Sequence, residues 1–209
     1  MPYIPKENVT QSFKSNKGIF SPNEVIKLDN EHKYTKYGQL ELITTSENIS
    51  DVNSVDFTNI KEDEYDVHFI TVSNFQAVSS SISGGVRLFE QGVIESGSVY
   101  DHAALKMDNS TGSTSNLQST ASSGLGISFD FDPQTSRNVY FYLYSAGDPT
   151  KFTVMTHHHT GINNSAIVYK FGGGGLPQRS IVDGFRIYSG SSDNMNIDSV
   201  SIYGIRTYK

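Results

Sequence analysis

The sequence predicts an all-β chain: an antiparallel β-sandwich preceded by an extended N-terminal arm. Three observations carry this reading. From Gln39 onward, apolar residues recur with a period of two in short runs. Ser, Gly, Asn and Asp punctuate those runs at regular spacing, the pattern of sandwiches and barrels. Helical periodicity of useful length is missing, while Tyr and Phe supply twelve residues each and only 18% of the chain is charged. Such a composition suits pleated, half-buried surfaces.

The arm, residues 1–45, differs from the rest. Pro2, Pro5 and Pro22 interrupt it, and Lys, Asn and Glu are frequent. Its apolar residues Ile4, Phe13, Ile19, Phe20, Val25, Ile26 and Leu28 are too many for a solvated tail. They predict a segment that docks on another surface. Ser21-Pro22-Asn23-Glu24 reads as a capping box, with Ser21 as N-cap, Pro22 at the first helical position and Glu24 at the third. A short helix over SPNEVIKL would place Val25, Ile26 and Leu28 on its buried side.

Residues 46–209 form the sandwich. In QLELITT, Leu40 and Leu42 share a face. VDF (55–57) is a short strand and NIKEDE (59–64) a turn whose acidic residues keep that end wet. YDVHFITVSN (65–74) is a long strand with Tyr65, Val67 and Phe69 on one side; the apolar set then moves to Ile70 and Val72, which marks a β-bulge or burial of both faces. Further strands are expected at 84–92, 98–107, 125–132, 139–145, 152–159, 166–172, 183–190 and 197–205. The Ser/Thr-rich stretch 108–124, the segment 189–194 and the run Gly172–Gly175 read as loops. Four consecutive glycines also let another chain approach closely.

The formal net charge of -6 and the absence of a basic run disfavour a nucleic-acid partner. With no cysteine there are no disulfides, thiolate metal sites or Cys nucleophiles. No run of about 18 apolar residues predicts a membrane span. The N-terminus has no apolar segment of signal-peptide length, so synthesis in a cytoplasm and release by lysis is expected.

Chemistry is sparsely signalled. His157 and His159 share one face of a strand, about 6.5–7 Å apart. Two imidazoles can converge on zinc, copper or nickel, but a site needs three or four ligands, which a trimer axis would have to supply. Exposed or interface histidines are the simpler expectation. Asp130 and Asp132 alternate with Phe129 and Phe131, yet nothing argues a shifted carboxyl of the kind a glycosidase pair needs. Asp148, Asp193 and Asp198 read as turn residues or weak calcium candidates. There is no GxSxG elbow, and FGGGGLP is no phosphate loop. No cofactor is expected. Tyr140, Tyr142 and Tyr144 alternate with Phe141 and Leu143, so one set faces outward or into a second layer; such tyrosines suit sugars or partner proteins, but a sheet packed on both faces or a subunit interface is the simpler expectation.

The stretches VDFTNI, EYDVHFITVSNF, GGVRLFEQG and SVYDHA, with the closing VDGFRIYSGSSDNMNIDSVSIYGI, resemble a β-sandwich module of structural proteins in tailed bacteriophages, marine ones in particular. The carrying features are a β-turn-YD-β opening, the strand Val86-Arg87-Leu88, and the ending Ser201-Ile202-Tyr203-Gly204-Ile205. The resemblance covers about residues 50–206, and the arm looks like a virion-attachment segment. It implies a jelly-roll-like, non-enzymatic virion protein present in several copies, with other virion proteins as partners. A tail-, fibre- or neck-associated role is expected, against two alternatives: a capsid decoration (cement) protein, or a carbohydrate-binding module that attaches to a host-surface glycan.

Overall fold

A computed structural model describes residues 21–30, 40–79, 82–109, 112–131, 133, 136–163, 166–190 and 193–205. The chain divides into two compact units, 1–37 and 38–209. In the first, the described helix is α1 (Pro22–Asn30). The capping box forms as the spacing predicts: Ser21 donates its backbone N–H to the Glu24 carboxylate at 2.7 Å, and the Glu24 N–H returns to Ser21 Oγ at 3.4 Å. These bonds hold the exposed Glu24 carboxyl below its usual range. Val25 is half-buried, but Ile26 is 58% exposed, so the expected buried side is not closed within this unit. Ile4, Phe13, Ile19, Phe20 and the Leu28 side chain lie outside the described residues.

The second unit is built from β1 (Glu41–Val52), β2 (Ser54–Thr58), β3 (Val67–Ala77), β4 (Ile82–Glu90), β5 (Val93–Ile94), β6 (Tyr100–Asp108), β7 (Ser113–Ser122), β8 (Leu125–Phe131), β9 (Arg137–Tyr144), β10 (Phe152–Asn163), β11 (Ala166–Arg179), β12 (Val182–Ser189) and β13 (Met195–Ile205). They form two antiparallel sheets. The large one runs β1-β13-β3-β9-β10-β11-β6-β7; the small one runs β2-β12-β4-β5, with β8 also on β4.

Within this order lies a jelly roll. Its eight strands are β1, β2, β3, β4, β8, β9, β12 and β13. The first pairs with the last (β1 with β13), the second with the seventh (β2 with β12), the third with the sixth (β3 with β9), and the fourth with the fifth (β4 with β8). That is one long hairpin wrapped into two sheets. Two further hairpins, β6-β7 and β10-β11, are spliced into it and join each other along β6 and β11, widening the large sheet beyond β9.

The core is the space between the sheets. From the large sheet come Ile70, Phe141, Met155 and Ile202; from the small sheet come Phe57, Val86, Leu88, Phe185 and Ile187, all buried. Phe185 stacks on Phe57 at 5.1 Å between centroids and meets Phe141 edge-on at 5.5 Å across the gap. The 59–64 turn carries exposed Asp63 and Glu64, but Ile60 and Tyr65 beside it are buried. Ile60 O lies 2.9 Å from the ring of His68, so this end is plugged as well as wet.

Several expectations are corrected. The stretch 108–124 is not a loop: most of it is β7, whose polar residues pair with β6 along an edge. The run Gly172–Gly175 lies inside β11, paired on both sides. A Cβ on Gly174 would lie 2.7 Å from His102 Cβ and 2.9 Å from Leu125 Cδ2, so glycine is what lets β11 and β6 share this close layer. Strand pairing starts at Glu41, so residues 41–45 belong to the sandwich and not to the arm. In β3 the core side is His68, Ile70 and Val72, while Val67 and Phe69 face outward. The bulge falls later than Phe69: the register slips between Val72 and Phe75, where Asn74 has φ of 50°, and Phe75 and Ala77 then turn inward.

Neighbouring residues on β9 test this phase. Phe141→Ala removes a fully buried ring and is expected to lower unfolding free energy by about 3–5 kcal/mol. Tyr140→Ala, one residue away on the other face, should cost less than about 1.5 kcal/mol. Urea denaturation of both variants checks the contrast, and equal losses would contradict the assigned phase.

Candidate functional site

The sandwich has two outer faces of opposite character. On the small sheet, β12 and β2 place Arg186 opposite Asp56, joined by two hydrogen bonds of 2.5 and 2.7 Å. Arg87 on β4 lies over the Tyr188 ring, 4.2 Å from its centroid. This face is polar and internally paired.

On the large sheet many of the outward residues are rings. The pairing puts Tyr203 of β13, Phe69 of β3 and Tyr142 of β9 in one row. The next row holds Thr71 of β3, Tyr140 of β9, His158 of β10 and Phe171 of β11. The rings touch between rows and strands: Phe69–Tyr142 at 4.8 Å, Phe69–Tyr140 at 5.9 Å, Tyr140–His158 stacked at 5.1 Å, and His158–Tyr169 at 5.9 Å. Five adjacent strands therefore carry one continuous aromatic strip. Of the three tyrosines the sequence singles out, Tyr140 is 40% exposed, while Tyr142 and Tyr144 are half-buried and stack on each other. The sequence reading missed Phe69, His158, Tyr169, Phe171 and Tyr203 as members of this face. Their signal was the period-two phase of each strand, which assigns them to Tyr140's side once the sheet order is known.

Beside the strip the face is notched. The bulge at Asn74 interrupts the pairing of β3 with β9, and a groove of about 290 Å³ lies next to it. It is lined by the rings of Phe69, Tyr140 and Tyr169, by Thr71, Ser73 and Thr160, and by Asn138 and His158. Asn138 accepts the Asn74 backbone N–H through Oδ1, and Asn74 Nδ2 donates to Asp198 at 2.5 Å, so the bulge is braced from both sides. Tyr169 Oη and His158 Nδ1 are 2.7 Å apart, which orients that wall. A second, wider depression of about 690 Å³ lies over Gly173, Gly174 and Gly175, edged by Asp101, His102 and Gln118.

The two histidines proposed from spacing share a face, as expected, but that face is the interior. His157 and His159 are each 2% exposed, which overturns the expectation of exposed or interface imidazoles. Among the described residues, His157 Nδ1 has no hydrogen-bond partner. Among the described residues no three His, Cys, Asp or Glu side chains are grouped to hold a metal ion. Burial pushes His157 down to about 4, helped by the charges of His158, Lys170 and His102. Burial, with Lys170 and Arg137 nearby, pushes His159 down to about 2.

The acidic candidates are engaged in structure. Asp148 accepts the N–H and hydroxyl of Thr150 and pairs with Lys151 at 2.9 Å, which lowers its pKa well below the usual range. Asp193 accepts from the backbone and hydroxyl of Ser79. Asp132 and the Asp130 side chain lie outside the described residues. Comparison with protein-family models, curated proteins and solved structures finds no match to this chain.

The buried imidazoles predict acid sensitivity. Both take up a proton near pH 6.5 in the unfolded chain but stay neutral when folded. Stability is therefore full above pH 6.5 and declines as pH falls, by about 1.4 kcal/mol per pH unit for each imidazole. Urea unfolding at pH 7, 6 and 5 is expected to show a decline, and His157→Leu should make it shallower by about 1 kcal/mol per unit. An unchanged slope in that variant would refute the assignment.

Proposed function

We propose that this protein is a non-enzymatic structural protein of a tailed-phage particle. Its N-terminal segment docks on the particle, and its jelly roll is displayed, associated with a tail, fibre or neck. The observation that carries the reading is the division at residue 37: the sandwich closes its core with its own strands, whereas helix α1 leaves Ile26 exposed to be covered by something else. The jelly-roll topology supports it by analogy, since this architecture recurs in viral capsid and lectin domains. The resemblance over residues 50–206 points the same way. A chain lacking residues 1–37 is expected to unfold within about 1 kcal/mol of the full chain, since every described strand is kept, and to fail to enter particles. Urea denaturation and immunoblotting of purified particles read the two outcomes, and normal incorporation would overturn the docking role.

The aromatic strip favours a second reading within the same role, attachment to a host-surface glycan. Aromatic rings gathered on a rigid sheet suit the C–H patches of sugars, and their hydroxyls suit the rims. On a glycan array, binding at millimolar or tighter affinity is expected, with Tyr140→Ala reducing it at least fivefold. Silence across the array, with the folded protein at high concentration, would remove this reading.

A further inference from the structure

We propose that the groove between β3, β9 and β10 is a subsite for one neutral pyranose unit, a proposal that rests on the glycan reading above. Four features of the groove define its ligand.

The first is size. About 290 Å³ sits at the lower edge of small-molecule sites, which begin near ~300 Å³, so the groove takes a single ring and not an extended oligomer. The second is the division of its walls. Tyr140, Phe69 and Tyr169 supply aromatic surface, while Thr71, Ser73, Thr160 and Asn138 supply neutral hydrogen-bonding groups. A pyranose has this same division, with apolar C–H patches and a belt of hydroxyls. The third is charge. No Asp, Glu, Lys or Arg lines the groove among the described residues, so no counter-charge is offered to a uronic acid, a sialic acid or a phosphate. The fourth is preorganisation. A bulge borders the groove at Ser73 and Asn138, and that bulge is held by Asn138 and by the Asn74–Asp198 bond before any ligand arrives. The stacked Tyr140–His158 pair and the 2.7 Å Tyr169–His158 contact fix the opposite wall in the same way.

The wider depression over Gly173–Gly175 differs on the third count, since Asp101 edges it. It serves as the internal comparison.

The test is a titration followed by ¹H–¹⁵N correlation NMR at pH 7. Methyl glycosides of glucose, galactose, mannose and N-acetylglucosamine are the neutral probes; galacturonate is the anionic control. At least one neutral glycoside is expected to shift the amides of residues 71–73, 138–140 and 158–160 with a Kd in the millimolar range. Tyr140→Ala and the nearly isosteric Thr71→Val should each weaken that binding at least fivefold, and Tyr144→Ala, outside the groove, should leave it within twofold. Thr71→Val keeps the test informative where a ring deletion disturbs the sheet. Shifts confined to residues 101–103 and 173–175, or tighter binding of galacturonate, would overturn the groove while leaving the glycan reading in place. No shift with any probe, together with silence on the glycan array, would overturn both.

Discussion

The core fixes the phase of every strand, and the outer faces follow from it. In a strand, neighbouring side chains point to opposite sides, so burying one residue exposes the next. Phe141 must meet Phe185 across the sandwich; Tyr140 and Tyr142 are then turned away from it. Ile70 and Val72 are needed inside, which sends Phe69 and Thr71 out. Because β13, β3, β9, β10 and β11 are adjacent and held in register, these outward residues fall into rows. The aromatic strip is thus the obverse of the core. A one-residue slip in β9 would bury three tyrosines and expose Phe141 and Leu143.

The spliced hairpins determine how wide that strip can be. The jelly roll alone would end its larger sheet at β9. The β10-β11 hairpin adds His158, Tyr169 and Phe171 to the same plane. The β6-β7 hairpin then covers the open side of β11. This close layering depends on glycine at 172 and 174, whose absent side chains leave room for β6 and Leu125. The outermost strand, β7, is short of apolar residues and rich in Ser and Thr. A polar edge of this kind resists uncontrolled pairing with other chains.

Much of this architecture was legible in the sequence. The period-two runs at 139–145, 183–190 and 197–205 each became a strand, because each alternates one buried and one outward set. The capping box at Ser21 and Glu24 is a local motif with local chemistry, and it formed as written. Other elements resisted reading for physical reasons. STSNLQSTAS has no alternating apolar set, since an edge strand with little core contact is held by main-chain pairing; composition alone looks like a loop. The glycine run looks like a breaker, yet a backbone squeezed between neighbours selects glycine in mid-strand. In β3 both faces are apolar, so the pattern cannot say which is core. Histidine is read as polar, and nothing local reveals that His157 and His159 lie under a second layer.

The candidate groove belongs to a different level of description. None of its lining residues forms a motif, because they come from β3, β9, β10 and β11 and meet only through sheet order. Its end beside Ser73 and Asn138 adjoins one irregularity, the register slip between Val72 and Phe75. The bulge swings Phe75 and Ala77 back into the core, so the extra residue beside the groove restores the packing inside. The cleft lies directly over buried Val72 and Val139, and a binding surface placed here inherits the rigidity of the sandwich.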